Sequence, residues 1–557
     1  MNLFNSLKAR NFVSIIIVIL YFGIVLDFSF SKIFIHHVDE PTIFSSDFKR
    51  ILFYFGILIC SFLFLKKKYR LIILPLYIIW AIQFLNFSNT GVFLSPLTIE
   101  NLSEYSSIGL SLLIKFVFLF VLSLALFCYL LFIIPKLTFS YTWKFILLII
   151  LSFSFLIIFT IRASYPVARF AESFYIVYLN NYAKIERNDG KQFIGKFVNS
   201  FYSNNKINPV NPKNERLNLI IIFTEGLSDR VISKTLTPTL YKLKQNSIYF
   251  ENYYNHTAPT FRGLRGQLIS GFVRAANSDV NNMSQSRLEQ TFKNTSESLP
   301  SIFNNYSYDT VFIGPHPSNS KLYSYMKVTG FNNIQCSDDY KDKNKNYPDL
   351  SDQDIFKYLS EIIDKERNNR RNFFISLYNV ETHHGVLVKD KLYGKGDNDF
   401  FNKFYNYDYW LGNFVNWFNN SEISDNTVLV ITSDHSSYAV PLFEDTFHFK
   451  SNTKTKFVDN IPFIVYRKGI THQIYNAHGR NSLCLAPTIL DLIGFGVRDQ
   501  IQNHFLGTSL FIDNESEFEH ISIIGASSVK TNENDYYDVD LDSDTQSKLD
   551  SFFGFSG

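Results

Sequence analysis

Apolar residues form long unbroken runs in the first third of the chain and short runs in the rest. A helix needs about 20 residues to cross a bilayer core of about 30 Å, so long runs of this kind predict transmembrane helices. Two of the runs are shorter and require flanking basic side chains to snorkel or the bilayer to thin locally. The pattern predicts a five-helix transmembrane domain within residues 1–162, with helices at about 11–30, 51–65, 71–87, 116–135 and 143–161.

Basic residues beside these runs predict the orientation of the domain. With the N-terminus inside, the cytoplasmic segments carry eight lysines and arginines, whereas the first outer loop carries three. The positive-inside rule then leaves the N-terminus in the cytoplasm and puts everything after Arg162 on the outer side of the cytoplasmic (inner) membrane. The first run could instead be a cleavable signal peptide, but no small-residue cleavage site follows it, which favours an uncleaved helix. Residues 163–215 are predicted to be an amphipathic connector and a polar linker.

From residue 216 onward, short continuous runs rich in Ile, Val and Phe alternate with helical patterns. Such runs are typical of strands covered on both faces, and their alternation with helices favours parallel pairing. Residues 216–557 are therefore predicted to form an α/β sandwich with a largely parallel central sheet, whose ligand site lies beyond the carboxyl ends of the strands. The predicted strands are 217–223, 309–314, 372–380, 426–432 and 461–467, and the predicted helices are 237–245, 299–306, 352–366 and 400–418.

The distribution of charge supports this division. Residues 1–162 hold only 19 of the 53 basic and 50 acidic side chains. An apolar share of 46% excludes a disordered chain, and a net charge of +3 is too mild to indicate a nucleic-acid partner. Cys60 and Cys128 lie inside apolar runs, so no cysteine framework or cysteine-based zinc site is available. A single bridge between Cys336 and Cys484 stays open.

Acidic and imidazole side chains directly follow three of the predicted strands. Glu225 follows the first strand, His383 and His384 follow the third, and Asp434 and His435 follow the fourth. Because the carboxyl ends of parallel strands meet at one edge of a sheet, these side chains are expected to lie close together. Carboxylates and imidazoles are good ligands for a divalent cation, so the pattern favours metal chemistry over simple loop solvation.

The order of these motifs resembles the sulfatase-like branch of the alkaline phosphatase superfamily. Within that branch it is most similar to the lipoteichoic acid synthases and the lipid-linked phosphoethanolamine transferases. The resemblance covers roughly residues 217–510, and the five predicted membrane helices extend it toward the N-terminus. The segments that carry it are IIIFTEGLS, TPTLYKLKQNSIYFENYYN, APTFRGLRGQLISG, VLVITSDHS, IPFIVYRKGI and LAPTILDLIGF.

This resemblance implies roles for individual residues. Glu225, Asp434 and His435 match the metal ligands of the family. Thr260 matches the threonine that binds the metal and attacks phosphorus, with Thr257 as the nearby alternative. Thr260 also precedes a helical pattern, where a plain N-cap is the other interpretation; a nucleophile at that position would gain backbone N–H donors and a favourable helix dipole.

Substrate contacts are implied for four further residues. His384 matches the substrate-binding histidine of the family, with His383 as the alternative. His448 lies 13 residues after His435 and resembles a second histidine that contacts the phosphate or the leaving group. Arg262 could hold a phosphate oxygen, although solvent exposure or helix packing would equally explain it.

The function implied by the resemblance is metal-dependent transfer of a phospho-substituent through a phosphothreonine. One divalent ion, Mn²⁺ or Zn²⁺, is expected, with a membrane phospholipid as donor of glycerol phosphate or phosphoethanolamine and an envelope glycan or glycolipid as acceptor. The sulfatase signature C/S-x-P-x-R is replaced by T-F-R-G, which disfavours sulfate ester hydrolysis. Two alternatives stay open: a membrane-anchored phosphodiesterase with the same site, and a degenerate domain that only binds envelope glycans.

Overall fold

The described part of the chain falls into two compact units in the computed structural model of the protein. One unit holds the described residues up to 180 together with Val440–Asp445, and the other holds the described residues of 181–439 and 446–557. The described residues are 51–52, 54–58, 67–90, 94, 110–132, 170–171, 173–174, 208–211, 213, 215–273, 298–340, 349–388, 390–453, 455–494, 505–512, 515–524 and 527–556.

Two apolar helices form the core of the first unit. A 3-10 helix, Lys67–Ile73, leads into α1, Leu74–Thr90, which packs against α2, Leu110–Phe132. The hydroxyl of Tyr77 donates to the carbonyl of Ser123 at 2.9 Å, which joins the two helices. Within the described residues, one stretch of helix is long and apolar enough to cross a membrane.

That stretch, Tyr69–Phe87, coincides with the third predicted membrane helix, and α2 overlaps the fourth. The first and fifth predicted helices lie outside the described residues, as does most of the second and of the connector 163–215. The five-helix domain and its boundaries therefore stay predictions.

An eight-stranded sheet forms the centre of the second unit, in the order β4-β3-β5-β1-β6-β7-β2-β8. All neighbouring strands in it are parallel except at β7, which runs antiparallel to both β6 and β2. The prediction of an α/β fold with a largely parallel sheet is confirmed. The strands are β1 Asn218–Thr224, β2 Ile248–Glu251, β3 Asp309–Ile313, β4 Asn333–Gln335, β5 Phe373–Tyr378, β6 Thr427–Ser433, β7 Ile464–Tyr466 and β8 Gln473–Asn476.

The three central strands, β5, β1 and β6, are buried along their whole length. This burial explains why the sequence shows them as continuous apolar runs rather than alternating ones. Near their carboxyl ends Phe223 pairs with Tyr378 and Thr224 pairs with Ser433. The residues that follow these strands are thereby brought to one edge of the sheet.

Four helices of the second unit correspond to the four predicted ones, and their ends differ from the predicted ends by at most two residues. Their starts carry local signals: the side chain of Ser351 accepts the Asp354 N–H at the start of α7, and Asn398 accepts two backbone N–H groups at the start of α8. The helices of this unit are α3 Pro238–Gln245, α4 Thr260–Ile269, α5 Leu299–Asn305, α6 Lys321–Thr329, α7 Asp352–Asn368, α8 Asp399–Asn420, α10 Leu485–Ile493 and α11 Ser543–Ser556. Helix α9, Pro441–Thr446, belongs to the first unit up to Asp445.

Six strands were not predicted from hydrophobic periodicity: β2, β4 and β8 of the large sheet, and a small antiparallel sheet near the C-terminus. Five of the six have only three or four residues, which is too short to display a period. Periodicity also could not show that β7 is antiparallel. The small sheet consists of β9 Ile521–Ile524, β10 Ser527–Thr531 and β11 Tyr536–Val539.

A buried ion pair connects the segment before the small sheet to the main domain. Arg480 Nε lies 2.6 Å from Glu519 Oε2, and the same guanidinium donates to the carbonyls of Thr508, Ser509 and Ile512. Arg480 therefore has a structural role.

The two cysteines of this domain, Cys336 and Cys484, are separate buried thiols. The bridge that the sequence left open does not exist in the structure.

Candidate active site

Glu225 lies immediately beyond β1 and is held by side chains from the segment that follows β5. Its backbone N–H donates to Asn379 Oδ1 at 3.0 Å, and its carbonyl accepts from Thr382 Oγ1 at 2.7 Å. Asn379 in turn donates to Asp352 Oδ1, a carboxyl that is fully buried at the start of α7. Both polar groups of the Glu225 peptide are thus fixed, which determines the direction of its carboxylate.

Asn379→Ala is expected to weaken divalent metal binding by about 10- to 100-fold, because supporting partners of a ligand orient it. Isothermal titration with Mn²⁺ or Zn²⁺ would measure the change, and Asn416→Ala, an exposed position on α8, is the matched control. Unchanged metal affinity in Asn379→Ala would show that this hydrogen bond does not orient Glu225.

Asp434 and His435 lie beyond β6, facing Glu225. Asp434 Oδ1 accepts the backbone N–H groups of Gly226 and His435 at 2.9 and 2.8 Å, whereas its Oδ2 is buried and has no hydrogen-bond partner. His435 Nδ1 lies 2.8 Å from the Ser436 carbonyl, which can only accept, so Nδ1 carries a proton and Nε2 is the nitrogen that the neutral ring offers to a metal. That Nε2 is 3.4 Å from Glu225 Oε1 and 3.3 Å from Asp434 Oδ2.

These three residues form a group whose ligand atoms all lie within 4.8 Å of one another, and all three are buried. Burial, followed by the charge of Glu225, raises the pKa of Asp434 to about 8. Burial also acts to raise the pKa of Glu225, but the charges of His435 and His383 outweigh it and the pKa falls to about 2.

Two carboxyl groups and an imidazole lone pair in one buried site repel one another unless a cation lies between them. Asp434 Oδ2, which is buried, accepts no hydrogen bond and lies 3.3 Å from His435 Nε2, is the atom that most clearly requires one. The donor set of two carboxylates and an imidazole therefore fits a divalent cation such as Mn²⁺ or Zn²⁺.

Thr260 is the first residue of α4, at the edge of this group. Its Oγ1 donates to Glu225 Oε2 at 2.9 Å, and Glu225 Oε2 also accepts from the Tyr378 hydroxyl at 2.5 Å. Thr260 is buried, as are the three residues of the metal group. Backbone N–H groups of the first helical turn point the same way and suit an anion.

Close packing of α4 against β6 fixes the position of Thr260. A Cβ on Gly263 would lie 2.2 Å from the Asp434 carbonyl oxygen, so only glycine permits this approach. Gln267, one turn further along, donates to the carbonyls of Ser433 and Asp434 at 2.9 and 3.1 Å. Helix α4 and the Asp434 segment therefore form one rigid element.

The neighbours of Thr260 do not share its position. Thr257 Oγ1 donates to the Ile523 carbonyl at 2.7 Å, on the small-sheet side. Arg262 is 4% exposed, which shows a packed side chain rather than a solvent-facing one. Of the two threonines, Thr260 alone contacts Glu225 in the described structure.

The histidine pair after β5 divides into two environments. His383 interacts electrostatically with Glu225 and His435, and burial lowers its pKa. His384 is exposed, with its ring stacked on Phe400 at 5.9 Å and edge-on to Tyr438 at 6.3 Å. The residue before His383, Thr382, bonds to the Glu225 carbonyl, so the His383 segment runs beside the metal group; the choice between His384 and His383 as the substrate-binding histidine stays a prediction.

His448 lies on an exposed turn after α9, with a φ of 54°. No contact between it and the metal group exists among the described residues. Its assignment to the phosphate or leaving group stays a prediction.

Four residues that contact Glu225 or the histidine turn were absent from the sequence analysis: Tyr378, Asn379, Thr382 and Lys403, whose Nζ donates to the His383 carbonyl at 2.8 Å. Asn379 directly follows a buried strand, which is the same signal that identified Glu225, so it could have been found. Lys403 lies on α8 within a pattern typical of a half-exposed helix, and nothing in the sequence distinguishes it from a solvated lysine.

Residues 218–495 match the family model described as Sulfatase. A protein of the alkaline phosphatase superfamily from Vibrio parahaemolyticus has a similar structure, with 18% identity, 66% of this chain and 92% of the other covered, and a TM-score of 0.50. The lipoteichoic acid synthase LtaP from Listeria monocytogenes is 16% identical, with 66% of this chain and 95% of the other covered and a TM-score of 0.47. The C-terminal periplasmic domain of EptC from Escherichia coli, in complex with Zn, is 16% identical, with 54% of this chain and 88% of the other covered and a TM-score of 0.37. No curated protein sequence matches the chain.

Proposed function

We propose that this chain, which belongs through residues 218–495 to the sulfatase family of the alkaline phosphatase superfamily, is a membrane-anchored, metal-dependent phosphotransferase. Thr260 is its nucleophile. The observation that carries the proposal is the hydrogen bond of 2.9 Å between the Thr260 hydroxyl and Glu225, within the group that fits a cation. The segment around Thr260 reads T-F-R-G and lacks the Cys or Ser that sulfatases convert to formylglycine. A hydroxyl nucleophile favours phosphoryl over sulfate chemistry.

Glu225, Asp434, His435 and Thr260 would hold the cation, which supplies positive charge that lowers the hydroxyl pKa and stabilises charge on phosphorus. Glu225 Oε2 orients the Thr260 Oγ1–H and keeps the oxygen in one rotamer. The N-terminus of α4 offers backbone N–H groups to the phosphoryl oxygens of an adduct on Thr260. These side chains are fixed before substrate arrives, which is the condition for electrostatic catalysis.

The reaction proceeds in two displacements. Thr260 Oγ1 loses its proton and bonds to phosphorus, the bond from phosphorus to the diacylglycerol oxygen breaks, and diacylglycerol leaves after its oxygen takes up a proton. An acceptor hydroxyl then loses its proton and bonds to phosphorus, and the Thr260 oxygen leaves and is protonated again. His383, which stands beside the metal group, is the residue we assign to proton transfer or to binding a phosphoryl oxygen.

The donor in this proposal is a membrane phospholipid that carries glycerol phosphate or phosphoethanolamine, and the acceptor is an envelope glycan or glycolipid. The apolar helix Tyr69–Phe87 supports attachment to a membrane. A catalytic domain anchored to the bilayer meets a lipid donor at high effective concentration. We place the catalytic domain on the outer side of the cytoplasmic membrane, following the predicted charge asymmetry.

The experiment that tests the function incubates full-length protein in detergent micelles with headgroup-labelled phosphatidylglycerol or phosphatidylethanolamine. We expect release of diacylglycerol from one of the two lipids and label on a glycan acceptor. Label found only as free headgroup phosphate would make the protein a phosphodiesterase. No turnover of either lipid, together with no stoichiometric metal, would favour a glycan-binding domain.

A further inference from the structure

Helix α8 presents polar side chains from its first two turns to the segment that carries the histidine pair. Asn402 accepts the Tyr393 N–H at 3.0 Å, and Asn406 donates to Glu381 Oε2 at 3.2 Å. Between them, Lys403 Nζ donates to the His383 carbonyl at 2.8 Å. The turn that follows β5 is therefore attached to α8 by side chains one helical turn apart.

Lys403 is an unusual lysine, because it is 2% exposed and no carboxylate oxygen lies within ion-pair distance of its Nζ among the described residues. Its ammonium lies over the ring of Phe400, 5.2 Å from the centroid. Burial lowers its pKa to about 8, against the opposing charges of Asp399 and Glu225. A buried cation without a paired anion costs stability, so its presence beside a catalytic group calls for a functional reason.

The carbonyl that Lys403 holds belongs to His383, and the residue before it, Thr382, donates its hydroxyl to the Glu225 carbonyl at 2.7 Å, so this turn lies directly beside the metal group. The His383 carbonyl also accepts the Val386 N–H at 3.1 Å, and the His383 N–H donates to the Val380 carbonyl, which closes the turn. His383 Nδ1 lies 2.8 Å from the His384 carbonyl, so that Nδ1 carries the proton and Nε2 the lone pair. His435 has the same arrangement with the carbonyl of Ser436.

We propose that Lys403 is a positioning residue for the transfer reaction: its ammonium fixes the His383 peptide, and thereby the direction and tautomer of the His383 imidazole at the metal group. This inference rests on the proposed function and adds a residue to its machinery. Lys403 acts through His383 and does not itself touch phosphorus. Its charge also offsets that of Glu225 in the metal group, which favours an anionic substrate.

Lys403→Met tests the proposal, because methionine has a similar length and shape but no charge. The His383 carbonyl keeps its Val386 partner in this variant, so no buried acceptor is left unpaired. We expect diacylglycerol release to fall by about 10- to 100-fold, since small displacements of a catalytic group have effects of this size. We expect the melting temperature to stay level or rise, because removing an unpaired buried charge does not destabilise a fold.

Two controls separate positioning from a structural role. Lys395→Met removes an exposed lysine near the same turn and should leave both turnover and melting temperature unchanged. In the double variant with His383→Ala, Lys403→Met should cause no further loss, because both changes remove the same contribution. An independent loss in the double variant, or a loss that parallels a drop in melting temperature, would overturn the proposal.

A second measurement does not depend on turnover. In full-length protein with ¹⁵N-labelled histidine, the His383 ring signals, identified by their loss in His383→Ala, should report an Nδ1–H tautomer that becomes mixed in Lys403→Met. Unchanged His383 signals would overturn the positioning role. If wild-type protein releases no diacylglycerol from either lipid, the proposed function fails, and this spectrum alone decides the role of Lys403.

Discussion

Thr260→Ala is expected to reduce diacylglycerol release by about 10³-fold or more while the protein remains folded and binds metal. The loss is large because Thr260 Oγ1, held at 2.9 Å from Glu225, is the atom that would bond to phosphorus, and no neighbouring group can replace a missing nucleophile. The measurement is the initial rate of release from labelled phosphatidylglycerol and phosphatidylethanolamine. Mass spectrometry should also detect the phospho-adduct on the peptide that contains Thr260 in wild-type protein only.

Thr257→Ala is the matched control, since it removes a threonine three residues away whose hydroxyl bonds to the Ile523 carbonyl instead. We expect this variant to keep its rate within a few-fold of wild type. Thr260→Ser should retain measurable activity, because the hydroxyl persists with a looser rotamer. Equal rates in Thr260→Ala and wild type would eliminate the phosphothreonine intermediate, and a full loss in Thr257→Ala alone would transfer the role to that residue.

Removal of the cation is expected to reduce diacylglycerol release by about as much as Thr260→Ala does. Chelation should abolish turnover, and Mn²⁺ or Zn²⁺ should restore it. The ion that restores the higher rate identifies the metal. Asp434→Asn should lower metal affinity by at least about 10²-fold, because it replaces a buried carboxylate, whose Oδ2 accepts no hydrogen bond from the protein, by a neutral amide. Metal content by mass spectrometry and affinity by calorimetry are the measurements.

The dependence of that affinity on pH gives a separate check. Burial and the charge of Glu225 raise the pKa of Asp434, so in metal-free protein a proton competes for this carboxylate. Metal affinity should therefore weaken as the pH falls and strengthen as it rises, with proton release on binding. Affinity that is independent of pH, or stoichiometric metal in Asp434→Asn, would show that the cation is bound elsewhere.

Much of the site was predictable because its ligands follow continuous apolar strands. Glu225 and Asp434 come directly after β1 and β6, two buried strands whose carboxyl ends meet at one edge in any parallel sheet. A strand signal and the polar residue after it are local in sequence. Asn379 shares this signal and was overlooked, although it follows β5 in the same way.

The choice between His383 and His384 could not be made from the sequence. Adjacent residues on a turn point in different directions, and which one faces the metal group depends on the hydrogen bonds that close the turn. Lys403 was equally hidden, because a helical lysine next to an apolar stripe is usually solvated. Its burial results from the packing of α8 over the turn after β5.

The sequence by itself determined the apolar runs, the α/β alternation and the identity of the groups that follow the strands, because each of these depends on a short stretch of chain. Only the tertiary structure decided that β7 runs antiparallel, that Cys336 and Cys484 stay apart, and that Lys403 rather than a solvent-facing lysine reaches the His383 turn. These depend on distances between residues far apart in the chain, which packing of the whole sheet and its helices fixes.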